Sequence, residues 1–176
     1  MYVPANPKRL LELVKEKEYL ITQSLPHLNQ LFEEKKQPNQ VYFFMGVQGI
    51  MQAYDMMLEQ KQPIYAIGGS GITRQFLKHR HGVWNERRLA LGITGKVLYY
   101  EFTRNDKKAK AWHDPTMKIR FIPDKYRSKG MIDICGNLVI NLHPLPDTLL
   151  AIVIENETIA ETYRQFFEFM WDHAKE

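Results

Sequence analysis

Gly68-Gly69-Ser70-Gly71, with Arg74 just after it, is the group whose residue types and spacing best suit chemistry in this chain. A glycine-rich turn between a strand and a helix points free backbone N–H groups at whatever lies above it, which suits an anion. Ser70 and Arg74 are the polar side chains placed beside it. The turn is not a Walker A motif, because no Lys-Ser or Lys-Thr follows. Nor is it a full dinucleotide fingerprint, because position 74 is Arg rather than Gly. Gly95-Lys96 also fails, since Val97 replaces the hydroxyl residue. A tight strand-to-helix turn without a ligand accounts for the same residues, and both readings stay open at this point.

The histidines are His27, His79, His81, His113, His143 and His173. His79 and His81 fall on a predicted helix, where residues two apart do not share a face, so no metal site is expected there. His113-Asp114 lies in a polar loop and could form a hydrogen-bonded pair. No Gly-x-Ser-x-Gly elbow is present. Cys135 sits beside a predicted hairpin turn with no histidine near it in sequence, and nothing local would lower its pKa enough for a nucleophile. One cysteine excludes an internal disulfide and a multi-cysteine zinc site. The expectation is a reducing, cytoplasmic setting with no metal and no cofactor.

The elements that must position these residues follow from periodicity. Residues 7–36 are predicted as a helix that starts at Asn6-Pro7. Leu11, Val14, Ile21, Leu25, Leu28 and Phe32 recur at alternating steps of three and four, interrupted only by Glu18. Such a row faces one partner, either the chain's own domain or a second copy in a dimer seam. Pro26 should kink or restart this helix. A strand over Val41–Met45, a helix over Gly46–Gln60 and a strand over Pro63–Ile67 follow. A helix from Thr73 to about Leu91 and a strand over Gly95–Phe102 come next. That order implies neighbouring parallel strands covered by helices. Asn105–Pro115 is a polar loop, and Met117–Ile122 alternates as a strand. Met131–Cys135 and Leu138–Leu142 flank a hairpin turn at Gly136-Asn137. The apolar run Leu149–Ile154 is expected as a central strand buried on both faces. The last helix is expected from Thr158, on the capping box Thr158-Ile159-Ala160-Glu161. Its apolar face is read as Ile159, Tyr163, Phe166, Phe167, Met170 and Ala174.

The chain has 176 residues and is 44% hydrophobic and 25% charged, which suits one ordinary globular domain and excludes a disordered tail. No apolar run reaches the ~18 residues of a membrane span. Met1-Tyr2-Val3-Pro4 does not resemble a signal peptide. The net charge of +4 is uneven. Residues 78–129 hold 14 Lys+Arg and 5 Asp+Glu, a net of +9, while the remainder holds 10 and 15, a net of −5. That segment is either a solvated face or a surface for nucleic acid or phosphorylated ligands.

The order of several short segments resembles the effector domain of TrmB-like transcriptional regulators. Asn6-Pro7-Lys8-Arg9-Leu10-Leu11 is similar to the start of the family's linker helix, and Leu25-Pro26-His27-Leu28 to its Leu-Pro-x-Leu element. Val41-Tyr42-Phe43-Phe44-Met45-Gly46-Val47-Gln48-Gly49-Ile50 resembles its strand followed by Gly-x-x-Gly-Ile. Ile64-Tyr65-Ala66-Ile67-Gly68, Ile152-Val153-Ile154-Glu155 and Phe167-Glu168-Phe169-Met170-Trp171 resemble its second strand, last strand and closing helix.

The resemblance implies an α/β, phospholipase-D-like mixed sheet flanked by helices and preceded by a long N-terminal linker helix. It implies a linker and dimerisation helix over 1–36 and a sensor domain over 37–176. A homodimer through Leu11, Val14, Ile21 and Leu25 is expected, with DNA contacted only through a winged helix absent from this sequence and no membrane contact. Sugar-sensing members extend further at the C-terminus, so the resemblance does not carry sugar recognition over to this sequence. Enzymes of that fold carry His-x-Lys-x(4)-Asp, and only His173-Ala174-Lys175 begins the pattern here. The expectation is therefore a chain that is not an enzyme and has no catalytic residue. A small polar or anionic metabolite is expected at Gly69, Ser70 and Arg74, with Arg104 and Arg120. A nucleic-acid-binding module using segment 78–129 and a degenerate phosphodiesterase are the alternatives.

Overall fold

The computed structural model describes residues 7–34, 39–105 and 114–176. The chain divides into two units, Met1–Pro38 and Asn39–Glu176. The first holds α1 (Lys8–Glu34), which runs through Pro26 without interruption. The helix does not restart there. A proline in a helix removes one donor from the ladder, and the neighbouring turns keep theirs. Leu11, Val14, Ile21, Leu25 and Leu28 are all exposed on α1. The Asn6 cap and the Phe32 side chain lie outside the described residues.

The second unit is a seven-stranded mixed sheet with helices on both faces. Its elements are β1 (Gln40–Met45), α2 (Gly46–Gln60), β2 (Ile64–Gly69), α3 (Ile72–Leu77), α4 (His79–Ala90), β3 (Gly95–Tyr100) and β4 (Met117–Ile122). β5 (Met131–Cys135), β6 (Leu138–Pro144), β7 (Leu149–Glu155) and a closing α5 (Glu157–His173) complete it. The strand order is β1-β7-β6-β5-β2-β3-β4. Strands β2, β3 and β4 are parallel neighbours, as expected. β1 is not beside β2. It pairs antiparallel with β7 at the edge, with Phe43 opposite Ile152. The Gly136-Asn137 turn joins β5 and β6 as an antiparallel hairpin, with Gly136 at φ 58°.

Alternation along each strand feeds two cores. On one face Leu138, Ile140 and Val153 pack with Ile50, Met57 and Trp84 of α2 and α4. On the other, Leu98, Ile134 and Val139 pack with Ala160, Phe167 and Trp171 of α5. β7 is not buried on both faces. Leu149, Ala151 and Val153 are buried while Leu150, Ile152 and Ile154 are only half-buried, because β7 is the second strand from the edge. On the same face of β1, Val41, Phe43 and Met45 are exposed at 56, 70 and 60%.

Two helix boundaries differ from the sequence reading. The stretch from Thr73 breaks at Lys78, which adopts φ 51° and ψ −128° and separates α3 from α4. α5 is capped by Asn156, whose side chain accepts from the Ile159 N–H at 2.7 Å, two residues before the expected Thr158. The buried stripe of α5 is Ala160, Phe167 and Trp171, while Ile159 and Phe166 are exposed. Among the described residues, no helix is long and apolar enough to cross a membrane.

Candidate functional site

The path from β2 into α3 sets the site. The β2–β3 register shifts between Ile67 and Gly69, and Gly68 takes φ +86°. A Cβ at Gly68 would lie 3.1 Å from both the Gly130 carbonyl and the Tyr100 hydroxyl, in a backbone region that side chains avoid. Such a bulge turns the chain out of the ladder. It aims Gly69, Ser70 and Gly71 into a cavity of about 110 Å³ between the sheet and helices α2, α3 and α4. The sheet side of the cavity includes Ile64 and Ala66 of β2, Val97 and Tyr99 of β3, and Met131 and Asp133 of β5. Tyr54, Thr73, Arg74, His81 and Trp84 line it from the helices.

Asp133 is the most deeply placed charged group in this cavity after Arg88. It is 4% exposed, and the Tyr54 hydroxyl donates to its Oδ2 at 3.4 Å. Burial pushes its carboxyl up to about 7, the Tyr54 bond opposing this. The Tyr54 phenol is itself raised well above its ordinary range, by burial and then by Asp133. Trp84 Nε1 donates to the Tyr54 carbonyl at 2.9 Å, which fixes α4 against α2. His81 meets the Tyr54 ring edge-on and packs tilted against the Trp84 ring. Burial, with Arg74 and Arg88 adding, brings its imidazole down to about 4, so the ring is neutral at pH 7.

Arg74 is half-buried. Burial lowers its pKa, opposed by Tyr99 and Asp114. Arg88 is the largest fully buried side chain. It forms an ion pair with Asp114, donates to the Ile93 carbonyl, and reaches Thr116 Oγ1 at 3.1 Å and Asn85 Oδ1 at 3.0 Å. Asp114 also accepts from the Thr116 N–H at 2.9 Å and hydroxyl at 2.6 Å. This cluster locks the start of β4 to α4.

Of the residues expected at the site, Gly69, Ser70 and Arg74 line the cavity. Arg104 and Arg120 do not. Arg120 alternates with the cavity-lining Ile119 on β4 and therefore points to the α5 face. There it donates to the Trp171 carbonyl at 2.7 Å and sits 5.0 Å from the Trp171 ring centre. Arg104 pairs with Glu101, lies over Phe121 at 3.9 Å, and donates to the Glu176 carbonyl at 2.7 Å. Both arginines tie the C-terminal segment down.

Sequence reasoning missed Tyr54, Arg88 and, above all, Asp133. Its signal was present: a lone carboxylate inside Met131-Ile132-Asp133-Ile134-Cys135. Cys135 itself is buried, with its thiol 3.3 Å from the Gln62 carbonyl and pushed up to about 12 by burial. His113 lies outside the described residues. Among the described residues, no group of three or more His, Cys, Asp or Glu is placed to hold a metal. Within segment 78–129, Arg87, Arg88, Lys96, Arg104 and Arg120 each meet a carboxylate, so much of that positive charge is balanced locally.

Three solved structures share this architecture. TrmBL2, an archaeal chromatin protein whose structure shows a novel mode of DNA binding, superposes with a TM-score of 0.53 at 14% identity over 96% of this chain. The chain spans 65% of that protein's length. The phospholipase D family member Nuc from Salmonella typhimurium superposes at 0.58 with 13% identity, over 78% of this chain and 97% of Nuc. NucT from Helicobacter pylori does so at 0.57 with 10% identity, over 78% and 98%. The fold is phospholipase-D-like. No family model and no curated protein matches the sequence. Nuc is a phospholipase D family member, and this likeness corrects the expectation that the chain is not an enzyme. That expectation rested on the incomplete His-x-Lys-x(4)-Asp pattern of this sequence.

Proposed function

We propose that the α/β unit is the ligand-sensing part of a cytoplasmic, DNA-associated regulator of the TrmB-like kind. A small polar or anionic metabolite binds at Gly69, Ser70 and Arg74. The chain dimerises through α1. DNA is contacted through a winged-helix domain outside this sequence. The observation that carries the reading is the cavity, an internal space bordered by a half-buried arginine and a bulged glycine turn. The likeness to a DNA-binding archaeal protein over 96% of the chain supports the regulatory setting. The exposed row Leu11, Val14, Ile21 and Leu25 supports a second copy as its cover, because an apolar stripe on an isolated helix gains by self-association. A bound metabolite shifts the dimer between arrangements only by its difference in affinity for them.

The test is thermal unfolding against sugars, sugar phosphates, nucleotides, amino acids and short DNA. At about a hundred times its dissociation constant, a true ligand adds ~2.7 kcal/mol. That raises the midpoint by roughly 5–10 °C for a chain of this size. Arg74→Ala should abolish the shift. An unchanged shift in that variant removes the site, and a shift with DNA alone moves the function to the surface. The same samples are assayed for turnover of generic phosphodiesters, since Nuc and NucT share the fold. For α1, Leu11→Glu with Leu25→Glu should convert a sedimenting dimer to monomer without lowering the midpoint of the α/β unit. A wild-type chain that sediments as monomer at about 100 μM would end the dimer proposal, because stable dimers have micromolar or tighter constants.

A further inference from the structure

We infer that the cavity accepts a small zwitterion of the α-amino-acid class, its carboxylate at Arg74 and its ammonium at Asp133. The inference rests on the ligand-binding reading above and names the ligand's chemistry. Two carboxyl groups border the cavity, and they differ. Asp114 is saturated by Arg88 and by the Thr116 N–H and hydroxyl. Asp133 is 4% exposed and has one hydrogen bond among the described residues, from Tyr54 at 3.4 Å. That is long for an O–H···O bond, and a carboxylate offers about four acceptor positions. A buried carboxyl with so much unmet acceptor capacity suits a donor that arrives with a ligand, and best a cationic one.

Arg74 forms the opposite pole. Tyr99 lines the same cavity as Arg74 and Asp133. Met57, Ile64 and Val97 supply apolar wall to that cavity. A cavity of about 150 Å³ takes benzene, with its six non-hydrogen atoms, so about 110 Å³ takes roughly four or five. Glycine, with five, is of that size, and alanine and serine exceed it by one or two atoms. A monocarboxylate would satisfy Arg74 and leave Asp133 unmet, and a simple amine would do the reverse.

The experiment is isothermal titration calorimetry on the full chain with L-alanine, L-serine and glycine, set against propionate, lactate and ethylamine. At least one amino acid should bind, with each one-armed analogue weaker by tenfold or more. Arg74→Gln and Asp133→Asn should each weaken that amino acid at least tenfold, with circular dichroism confirming the fold. Glu168→Gln, on the opposite face, should change nothing. Propionate binding as tightly as alanine, or unchanged affinity in Asp133→Asn, overturns the inference. If no amino acid binds but a sugar phosphate or nucleotide raises the midpoint through Arg74, this inference fails and the sensor reading stands. If nothing in either panel binds, both fail.

Discussion

Replacing Arg88 by methionine is expected to destabilise the α/β unit by about 3–5 kcal/mol, the usual cost of removing one partner of a buried ion pair. Methionine matches much of the chain's volume, so the loss is not mainly a cavity effect. What is lost is the only cation facing Asp114 at ion-pair distance among the described residues, together with bonds to Ile93, Thr116 and Asn85. At roughly 2–4 °C per kcal/mol, the midpoint should fall by about 6–20 °C. Urea unfolding followed by circular dichroism measures this directly. The Asp114 carboxyl is held below its ordinary value of 3.8: burial raises it, but the Thr116 bonds and Arg88 outweigh that. Its contribution is therefore present above about pH 4 and fades as the solution is acidified below it. A loss under about 1 kcal/mol in Arg88→Met would show that solvent, and not this cluster, satisfies Asp114.

Asp133→Asn should act in the opposite direction and depend on pH. Below pH 3.8 the carboxyl is protonated in folded and unfolded chains alike, and it costs nothing. Between pH 3.8 and about 7 the unfolded chain gives up this proton and the folded chain keeps it. Stability therefore falls with rising pH across that window, by up to ~1.4 kcal/mol per pH unit, and levels off above it. Asparagine keeps the shape and the contact with Tyr54 without a charge to bury. The variant should gain little at about pH 4 and up to roughly 4 kcal/mol at about pH 8, measured without added ligand. Equal midpoints for the two chains at about pH 8 would mean that Asp133 is ionised and paired in the native state.

Local features of the fold were legible, and long-range ones were not. The Gly136-Asn137 hairpin and the turn after β2 are written in residues that tolerate positive φ, and both are observed. The break at Lys78 carries no such mark, because a lysine in a left-handed conformation is held by surrounding packing rather than by its own preference. The placing of β1 beside β7 was invisible because strand pairing across the chain leaves no local trace. The arginines show the same limit within the site. Charge alone could not separate Arg74, which lines the cavity, from Arg120, whose neighbour Ile119 does so instead. Only the phase of β4 relative to the sheet decides that, and the phase is set by pairing with β3. Asp133 was legible as an oddity in an apolar strand, but its role needed Tyr54, 79 residues away.

The pairing of β1 with β7 also governs how the chain is made. Tyr42 and Glu155, which hydrogen-bond across that pair, lie 113 residues apart. At roughly 5–20 residues per second, a ribosome needs about 6–23 s to reach the partner of a strand it has already released. Throughout that interval β1 lacks the partner it has in the finished sheet, and an unpaired strand edge is what recruits foreign strands. The sheet closes only when nearly all of the chain has been synthesised. A translation stall or a truncation before Leu149 thus leaves a sticky, half-finished sheet rather than a smaller stable one.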